Sequence, residues 1–165
     1  MESRGRSVVA ARSAAWVVAS VLAAAAACTA DDGSQVCFDW AVHDTPAQAA
    51  QDALVVRGAV TGAAGEGTAW GVRATRWDVA VEEVLAGEGV EAGQQVTVLS
   101  SPETCNGGRG PYPAGDPLDV DGEVIVILHD DAELGLRTVT PFDGVVAAGP
   151  DGGLPERWPA DHYRP

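Results

Sequence analysis

The alternation of apolar and polar residues along this chain predicts a set of short β-strands. This alternation is clearest over residues 77–81, where Trp77, Val79 and Val81 are separated by single residues. Such a period of two is expected for a strand that has one face in the core. Four more segments are apolar, rich in β-branched residues and bounded by turn residues: 54–60 (LVVRGAV), 95–99 (QVTVL), 123–128 (EVIVIL) and 136–146 (LRTVTPFDGVV). The last of them is interrupted at Pro141, so the pattern predicts five strands in all.

One short helix is expected before the first strand. Thr45 is a favourable cap, Pro46 suits the first helical position, and the residues that follow, AQAAQDA, have high helix propensity. The helix is therefore predicted over residues 45–53.

Two segments without an apolar period are expected to be loops. The glycine-rich segment 61–68 (TGAAGEGT) is predicted to be a flexible hairpin loop; a nucleotide-binding loop would need a helix behind it, whereas another strand pattern follows. Residues 100–122 are rich in proline and glycine, and we expect Cys105 to tie this long segment down. Five strands, one short helix and no βαβ spacing predict a mainly β fold, a small five-stranded Greek-key barrel.

The N-terminal residues have the pattern of a secretory signal peptide. Arg4, Arg6 and Arg12 precede a short, alanine-rich apolar run, 14–27, that ends directly before Cys28. The cysteine after Ala-Ala-Ala resembles a bacterial lipobox, which implies cleavage before Cys28, a lipid on that cysteine, and a location on the extracytoplasmic face of the cell membrane. Ordinary cleavage with release of a secreted protein is one alternative, and retention of the segment as an anchor is another.

The expected organisation has one domain. A signal peptide over residues 1–27 is followed by a polar tether over 28–36. The barrel covers 37–146, and a tail rich in proline and glycine, 147–165, is expected on the surface or disordered. This length suits a single core.

The charge of the chain argues against two kinds of partner, nucleic acids and anionic lipid head groups. There are 10 basic and 24 acidic residues, a net charge of -14, with no lysine. Loss of residues 1–27 leaves 7 basic and 23 acidic residues, a net charge of -16. Such a surface repels phosphates, so we expect no binding of nucleic acid or of anionic lipid head groups through charge; solubility outside the cell is a sufficient reason for it.

The three cysteines fit an exported protein. If Cys28 carries lipid, Cys37 and Cys105 are the pair that remains, and an oxidising compartment allows a disulfide between them to persist. Closing so long a loop would stabilise the fold by about 4 kcal/mol in the chain-entropy model.

No catalytic set or metal site is expected. His43, His129 and His162 are far apart in sequence, and a turn explains the two aspartates after His129. Asp116, with the aspartates that follow it, lacks the spacing of a calcium loop. Serine nucleophile motifs are absent from the sequence, and no cofactor is predicted.

The order of these features resembles the N-terminal inhibitory domain of the tissue inhibitors of metalloproteinases, in the netrin-like OB-fold group. Cys37, His43, the predicted helix and the Leu54-Val55-Val56-Arg57 strand follow one another at nearly the family's spacing. The run RWDVAVEEVLAGE, residues 76–88, looks like the second strand, and Cys105 follows the third strand after QVTVLSSPET. The likeness covers residues 37–146.

The resemblance implies an OB-fold barrel and a disulfide that joins Cys37 to Cys105. In that family the first cysteine is also the mature N-terminus and binds the zinc of the protease through its amino group. Here Val36 and a tether precede Cys37, and Asp39 stands at the position of a second family cysteine. Zinc chelation is therefore not expected unless a further cleavage exposes Cys37.

The edge beside this disulfide is the predicted contact surface for a protein partner. Phe38, Trp40, Arg109 and Tyr112 fall near it in sequence, and aromatic residues and arginine most often anchor interfaces. The alternative for Phe38 and Trp40 is that they pack over the end of the barrel. The sequence thus predicts a lipid-anchored, non-catalytic interaction module; a protease inhibitor or regulator acting through the disulfide edge is the first alternative, and a cell-envelope hydrolase the weaker one.

Overall fold

The computed structural model describes residues 37–105 and 108–162 of the chain. This part is mainly β, with one sheet of six strands. The elements are α1 (Pro46–Ala49), β1 (Leu54–Ala69), β2 (Val72–Ala86), β3 (Gln95–Leu99), β4 (Glu123–Asp131), β5 (Gly135–Thr138) and β6 (Val145–Val146). The predicted signal peptide, the tether and Cys28 lie outside the described residues. Within the described ranges, no helix is both long and apolar enough to cross a membrane.

The strand pairings connect the sheet into a circuit. β1 pairs with β2, β2 with β3, β3 with β5 and β5 with β4, and β4 then pairs with β1 over residues 54–59. All of these pairings are antiparallel except that of β3 with β5, which meets at Leu99 and Arg137. The sixth strand, β6, pairs with β4.

The prediction of a flexible loop over residues 61–68 was wrong. These residues continue β1, which runs to Ala69 and pairs with β2 down to Val72. The register shifts four times along this hairpin, and Gly65, next to one of the shifts, has a φ of 129° that favours glycine. The glycines therefore bend a long hairpin instead of ending it.

The segment predicted as a fifth strand is two strands. Pro141 interrupts it, as expected, because proline has no backbone N–H to donate. The hydroxyl of Thr140 instead accepts hydrogen bonds from the amides of Phe142 and Asp143. This turn separates β5 from β6.

The short helix is present but ends early. The hydroxyl of Thr45 accepts from the amide of Gln48, and Pro46 is in the first turn, as predicted. The α-helix stops at Ala49, and Asp52 adopts a left-handed conformation, with φ 58°, that turns the chain into β1. The predicted bounds of 45–53 were therefore too long.

Strand β4 is buried on both faces, which accounts for its continuous apolar sequence. Val124, Val126 and Leu128 belong to a core cluster with residues of β1, β2 and β3. Ile125 and Ile127 point the other way, into a second cluster that helix α1 and β6 cover. Side chains of successive residues point to opposite faces of a strand, so one strand contributes to both clusters.

The C-terminal segment lies against the second cluster. Leu154 and Trp158 are half-buried and pack on it. The carbonyl of Gly152 also accepts a hydrogen bond from the Arg57 side chain. Residues 147–162 are therefore attached to the sheet at several points, although they form no strand or helix.

Candidate functional site

The predicted disulfide is confirmed. Cys37 and Cys105 are bonded, with their Cα atoms 5.1 Å apart and a separation of 68 positions in sequence. Both cysteines are exposed. Two hydrogen bonds continue this connection: the amide of Phe38 donates to the hydroxyl of Thr104, and the indole of Trp40 donates to the carbonyl of Pro102. The segment before helix α1 is thus fixed to the 100–122 segment.

Three aromatic rings meet beside the disulfide. The ring centroids of Phe38 and Trp70 are 4.5 Å apart, those of Trp40 and Trp70 are 5.3 Å apart, and those of Phe38 and Trp40 are 6.3 Å apart. All three residues are half-buried. Tilted and edge contacts at these distances are favourable for aromatic rings. We call Phe38, Trp40, Trp70 and the neighbouring Arg137 the aromatic end of the domain.

Arg137 makes cation–π contacts with the two tryptophans. Its guanidinium carbon lies 5.8 Å from the ring centroid of Trp40 and 5.3 Å from that of Trp70, within the range of cation–π attraction. Its side chain also donates to the Asp131 carboxylate and to the carbonyls of Thr138 and Val139. These hydrogen bonds fix the orientation of the guanidinium, which contacts the rings of Trp40 and Trp70.

The pKa of Asp131 lies below its usual range. The largest cause is the hydrogen bond that its carboxylate accepts from the amide of Glu133; the amide of Leu134 and the Arg137 side chain act in the same direction. Asp131 therefore stays ionised beside Arg137 at neutral pH.

Trp70 reaches this cluster from the tip of the long hairpin. Trp70 and Gly71 are the two residues between β1 and β2, with φ values of 50° and 80°. A two-residue turn with positive φ at both positions is the type that matches the twist of a hairpin, and Asn or Gly is preferred in it. A tryptophan there is strained. Such strain often marks a residue whose side chain has a role that compensates for it.

The other two predicted contact residues are placed differently. Arg109 is exposed on the segment after Cys105. Tyr112 is half-buried, and its hydroxyl accepts from the amide of Thr75 and donates to the carbonyl of Ser100. Burial raises the pKa of this phenol above its ordinary value. Its hydroxyl is thus hydrogen-bonded inside the protein, so Tyr112 fixes the 100–122 segment to β2 through Thr75.

Asp116, considered above as part of a calcium-loop fragment, binds protein donors. Its carboxylate accepts hydrogen bonds from the hydroxyl of Ser100, the indole of Trp77 and the amide of Leu118. In the part of the chain that the structure describes, no group of three or more acidic, histidine or cysteine residues has a geometry suited to a metal ion.

A second cluster joins two histidines that are far apart in sequence. Nδ1 of His43 lies 2.9 Å from one carboxylate oxygen of Asp143, and Nε2 of His162 lies 2.9 Å from the other. The Asp143 side chain has no exposed surface. The ring of His162 stacks on Trp158 at 4.2 Å, and the Trp158 indole donates to the carbonyl of His43. We call His43, Asp143 and His162 the histidine–aspartate cluster.

Sequence reasoning missed this cluster, although one signal was present. Asp143 stands between Phe142 and Gly144 in a segment that is otherwise read as a buried strand. A carboxylate in such a place needs hydrogen-bond partners. The sequence does not show which residues supply these partners, because His43 precedes all six strands in the chain and His162 follows them.

Comparison with known proteins found no match to this chain among family models, curated proteins or solved structures.

Proposed function

We propose that this protein is a lipid-anchored, extracytoplasmic interaction module with an OB-fold barrel, and that the aromatic end is its contact surface for a protein partner. The observation that carries the proposal is the convergence of Phe38, Trp40 and Trp70 with Arg137 beside an exposed disulfide. Aromatic residues and arginine are the residues that most often anchor protein interfaces.

The barrel part of the proposal is supported by the pairing circuit. Starting from β1, the pairings pass through β2, β3, β5 and β4 and return to β1, as they would if the sheet closed on itself. Closure leaves few unpaired edges and gives the hairpin tip a rigid base. The parallel contact of β3 with β5 agrees with the strand order of an OB-fold.

The strained position of Trp70 supports a role for the aromatic end beyond stability. Asparagine or glycine would satisfy the turn at lower conformational cost, yet a large ring stands there and contacts Phe38 and Trp40. A ring at a hairpin tip that remains half-buried has surface left for a partner to cover.

Anchoring is proposed from the sequence before the domain. Mass spectrometry of the mature N-terminus of the purified protein tests it. A diacylglyceryl group on Cys28 supports the anchored module. A mature N-terminus at Cys37 would support the alternative of a metalloproteinase inhibitor, since its amino group would then be free to chelate zinc.

Photo-cross-linking in the producing cell tests the contact surface. Thr68 is exposed and precedes Trp70 by two residues, so Thr68→p-benzoylphenylalanine places a photoreactive group next to the hairpin tip that carries Trp70. Ala92 is exposed in the turn between β2 and β3, at the opposite end of β2 from the hairpin tip, and serves as the matched control. A discrete adduct from position 68 with none from position 92 supports the proposal. Equal labelling at both positions, or no adduct at position 68, contradicts it.

A further inference from the structure

Two acidic side chains are buried in the part of the chain that the structure describes, and they differ in their partners. Asp143 has 0% and Glu103 has 8% of its surface exposed. Two imidazoles and a backbone amide contact the carboxylate of Asp143. Neither a salt bridge nor a hydrogen bond joins the carboxylate of Glu103 to another residue within 37–105 and 108–162. A buried carboxylate without a partner is costly, so Glu103 needs a group that these residues do not supply.

Glu103 lies beside the aromatic end. The residue before it, Pro102, accepts a hydrogen bond from the indole of Trp40 through its carbonyl. The residue after it, Thr104, accepts one from the amide of Phe38 through its hydroxyl. Glu103 is thus held between the two contacts that fix the aromatic segment, close to the proposed contact surface.

Glu103 also lines a small opening in the surface. The other residues that line it are 111–115 (PYPAG) and Pro141, and we call this opening the Glu103 pocket. The amide of Glu103 donates to the carbonyl of Pro111, which joins two of its walls. The free volume of the pocket is about 10 Å³, close to the least that one water molecule needs. An ammonium group is of similar size, whereas the planar guanidinium of arginine is larger.

We infer that the Glu103 pocket accepts the side-chain ammonium group of a lysine from the protein partner. The ammonium is a compact charge with three hydrogen-bond donors, so it can pair with the carboxylate of Glu103. The apolar stem of the lysine would then lie along the prolines of the pocket. This inference rests on the proposed function and gives the partner a chemical feature.

The composition of the chain indicates that the ammonium group comes from another molecule. The chain has no lysine, and its arginines carry the larger guanidinium. The net charge of -14 also attracts a basic partner. An acidic or apolar side chain in the pocket would leave the carboxylate of Glu103 unpaired. A water molecule would supply hydrogen bonds without charge, and the experiment below separates that case from lysine binding.

Two-dimensional amide NMR of the purified mature protein tests the inference. The probe is the peptide acetyl-Leu-Lys-Leu-amide; peptides with arginine or norleucine in place of lysine are the controls for charge and for the apolar stem. The amides of Glu103 and Gly115 report binding because both residues line the pocket. The protein variants are Glu103→Gln, which removes the charge and keeps the size, and Glu66→Gln, at an exposed acid on β1, as the matched control.

We expect the lysine peptide to shift the amide resonances of Glu103 and Gly115 to saturation, and the arginine and norleucine peptides to bind more weakly. Affinity for the lysine peptide should fall about tenfold in Glu103→Gln and should not change in Glu66→Gln. Equal binding of the three peptides, or no shift at the two residues, would overturn the inference and leave the pocket to water only. Unchanged affinity in a folded Glu103→Gln protein would overturn it as well. The comparison of peptides uses the wild type and therefore decides even where Glu103→Gln does not fold.

The two proposals can fail separately. If position 68 cross-links to a partner in cells but the lysine peptide does not bind, the contact surface stands and the lysine is wrong. If the lysine peptide binds but position 68 gives no adduct, the pocket binds ammonium groups and the proposed contact surface is wrong. If neither experiment gives a signal, both proposals are wrong.

Discussion

Nδ1 of His43 lies 2.9 Å from Oδ2 of Asp143, whose carboxylate is fully buried. The backbone amide of His43 donates to the same oxygen, and His162 binds the other oxygen. One carboxylate therefore connects the segment that follows the disulfide, the turn before β6 and the C-terminal segment. Phe38 and Trp40, which belong to the aromatic end, lie in the first of these segments.

Asp143→Ala is predicted to be strongly destabilising. The change removes an acceptor for three donors, two imidazoles and one amide, and a buried network that loses a member typically loses about 3 kcal/mol. Urea unfolding followed by tryptophan fluorescence measures the loss. His129→Ala, at an exposed histidine on β4, should change the free energy of unfolding by no more than about 0.5 kcal/mol. A small effect of Asp143→Ala would contradict the role assigned to the cluster.

Replacement of both cysteines, Cys37→Ser with Cys105→Ser, is predicted to lower the free energy of unfolding by about 4 kcal/mol, because the unfolded chain regains the freedom of a long loop. Thermal unfolding of the wild type with and without reductant gives an independent measurement. The reduced wild type should unfold at the temperature of the double variant. If reductant has no effect on the wild type, the disulfide makes no contribution to stability.

Tyr112→Phe is predicted to cost about 1 to 2 kcal/mol, because the amide of Thr75 and the carbonyl of the buried Ser100 lose their partner. Burial raises the pKa of this phenol above 10.0. The folded state thus favours the neutral phenol. The wild type should therefore be more stable than Tyr112→Phe below the ordinary pKa of tyrosine, and this difference in stability should be lost as the pH rises through the raised pKa. Unfolding curves of both proteins across alkaline pH measure this. A variant as stable as the wild type would show that the hydroxyl is not needed.

Glu82→Gln is predicted to be more stable than the wild type at pH values above the raised pKa of Glu82. The pKa of Glu82 is raised above 4.5, first by a hydrogen bond to Glu123 and then by the charge of that carboxylate. An acid with a raised pKa binds more protons in the folded state, so its ionisation removes stability with increasing pH. The variant should therefore match the wild type at acidic pH and exceed it above the raised pKa.

Melting temperatures across this pH range test the Glu82 prediction. Parallel melting curves for wild type and Glu82→Gln would contradict it.

Much of the sheet could be predicted from the chain because its strands are distinctly apolar. The bounds of β3 are those predicted, β1 begins at the predicted residue, Leu54, and the predicted disulfide is present. The second half of β1 was missed because its residues are small, polar or glycine. This half of β1 is a strand because its backbone pairs with β2. The pattern of side chains in the sequence does not indicate that pairing.

The candidate site was predictable only in part, for a related reason. Phe38 and Trp40 were named from their nearness to Cys37 in sequence. Trp70 and Arg137 were not, because only the hairpin and the β3–β5 pairing bring them to the same place. Tyr112, named for the same reason as Phe38, has its hydroxyl bonded inside the domain.

The central claim is that the aromatic end is a contact surface, and Trp70→Asn tests it most directly. Asparagine suits the positive φ of position 70, so the variant keeps the turn and removes the ring. The measurement is the yield of the position 68 cross-link in cells, made beside the unfolding temperature of the same protein. We predict that the adduct is lost while the variant remains folded at the temperature of the experiment. An undiminished adduct from a folded Trp70→Asn protein would contradict the claim and leave the rings with a purely structural role.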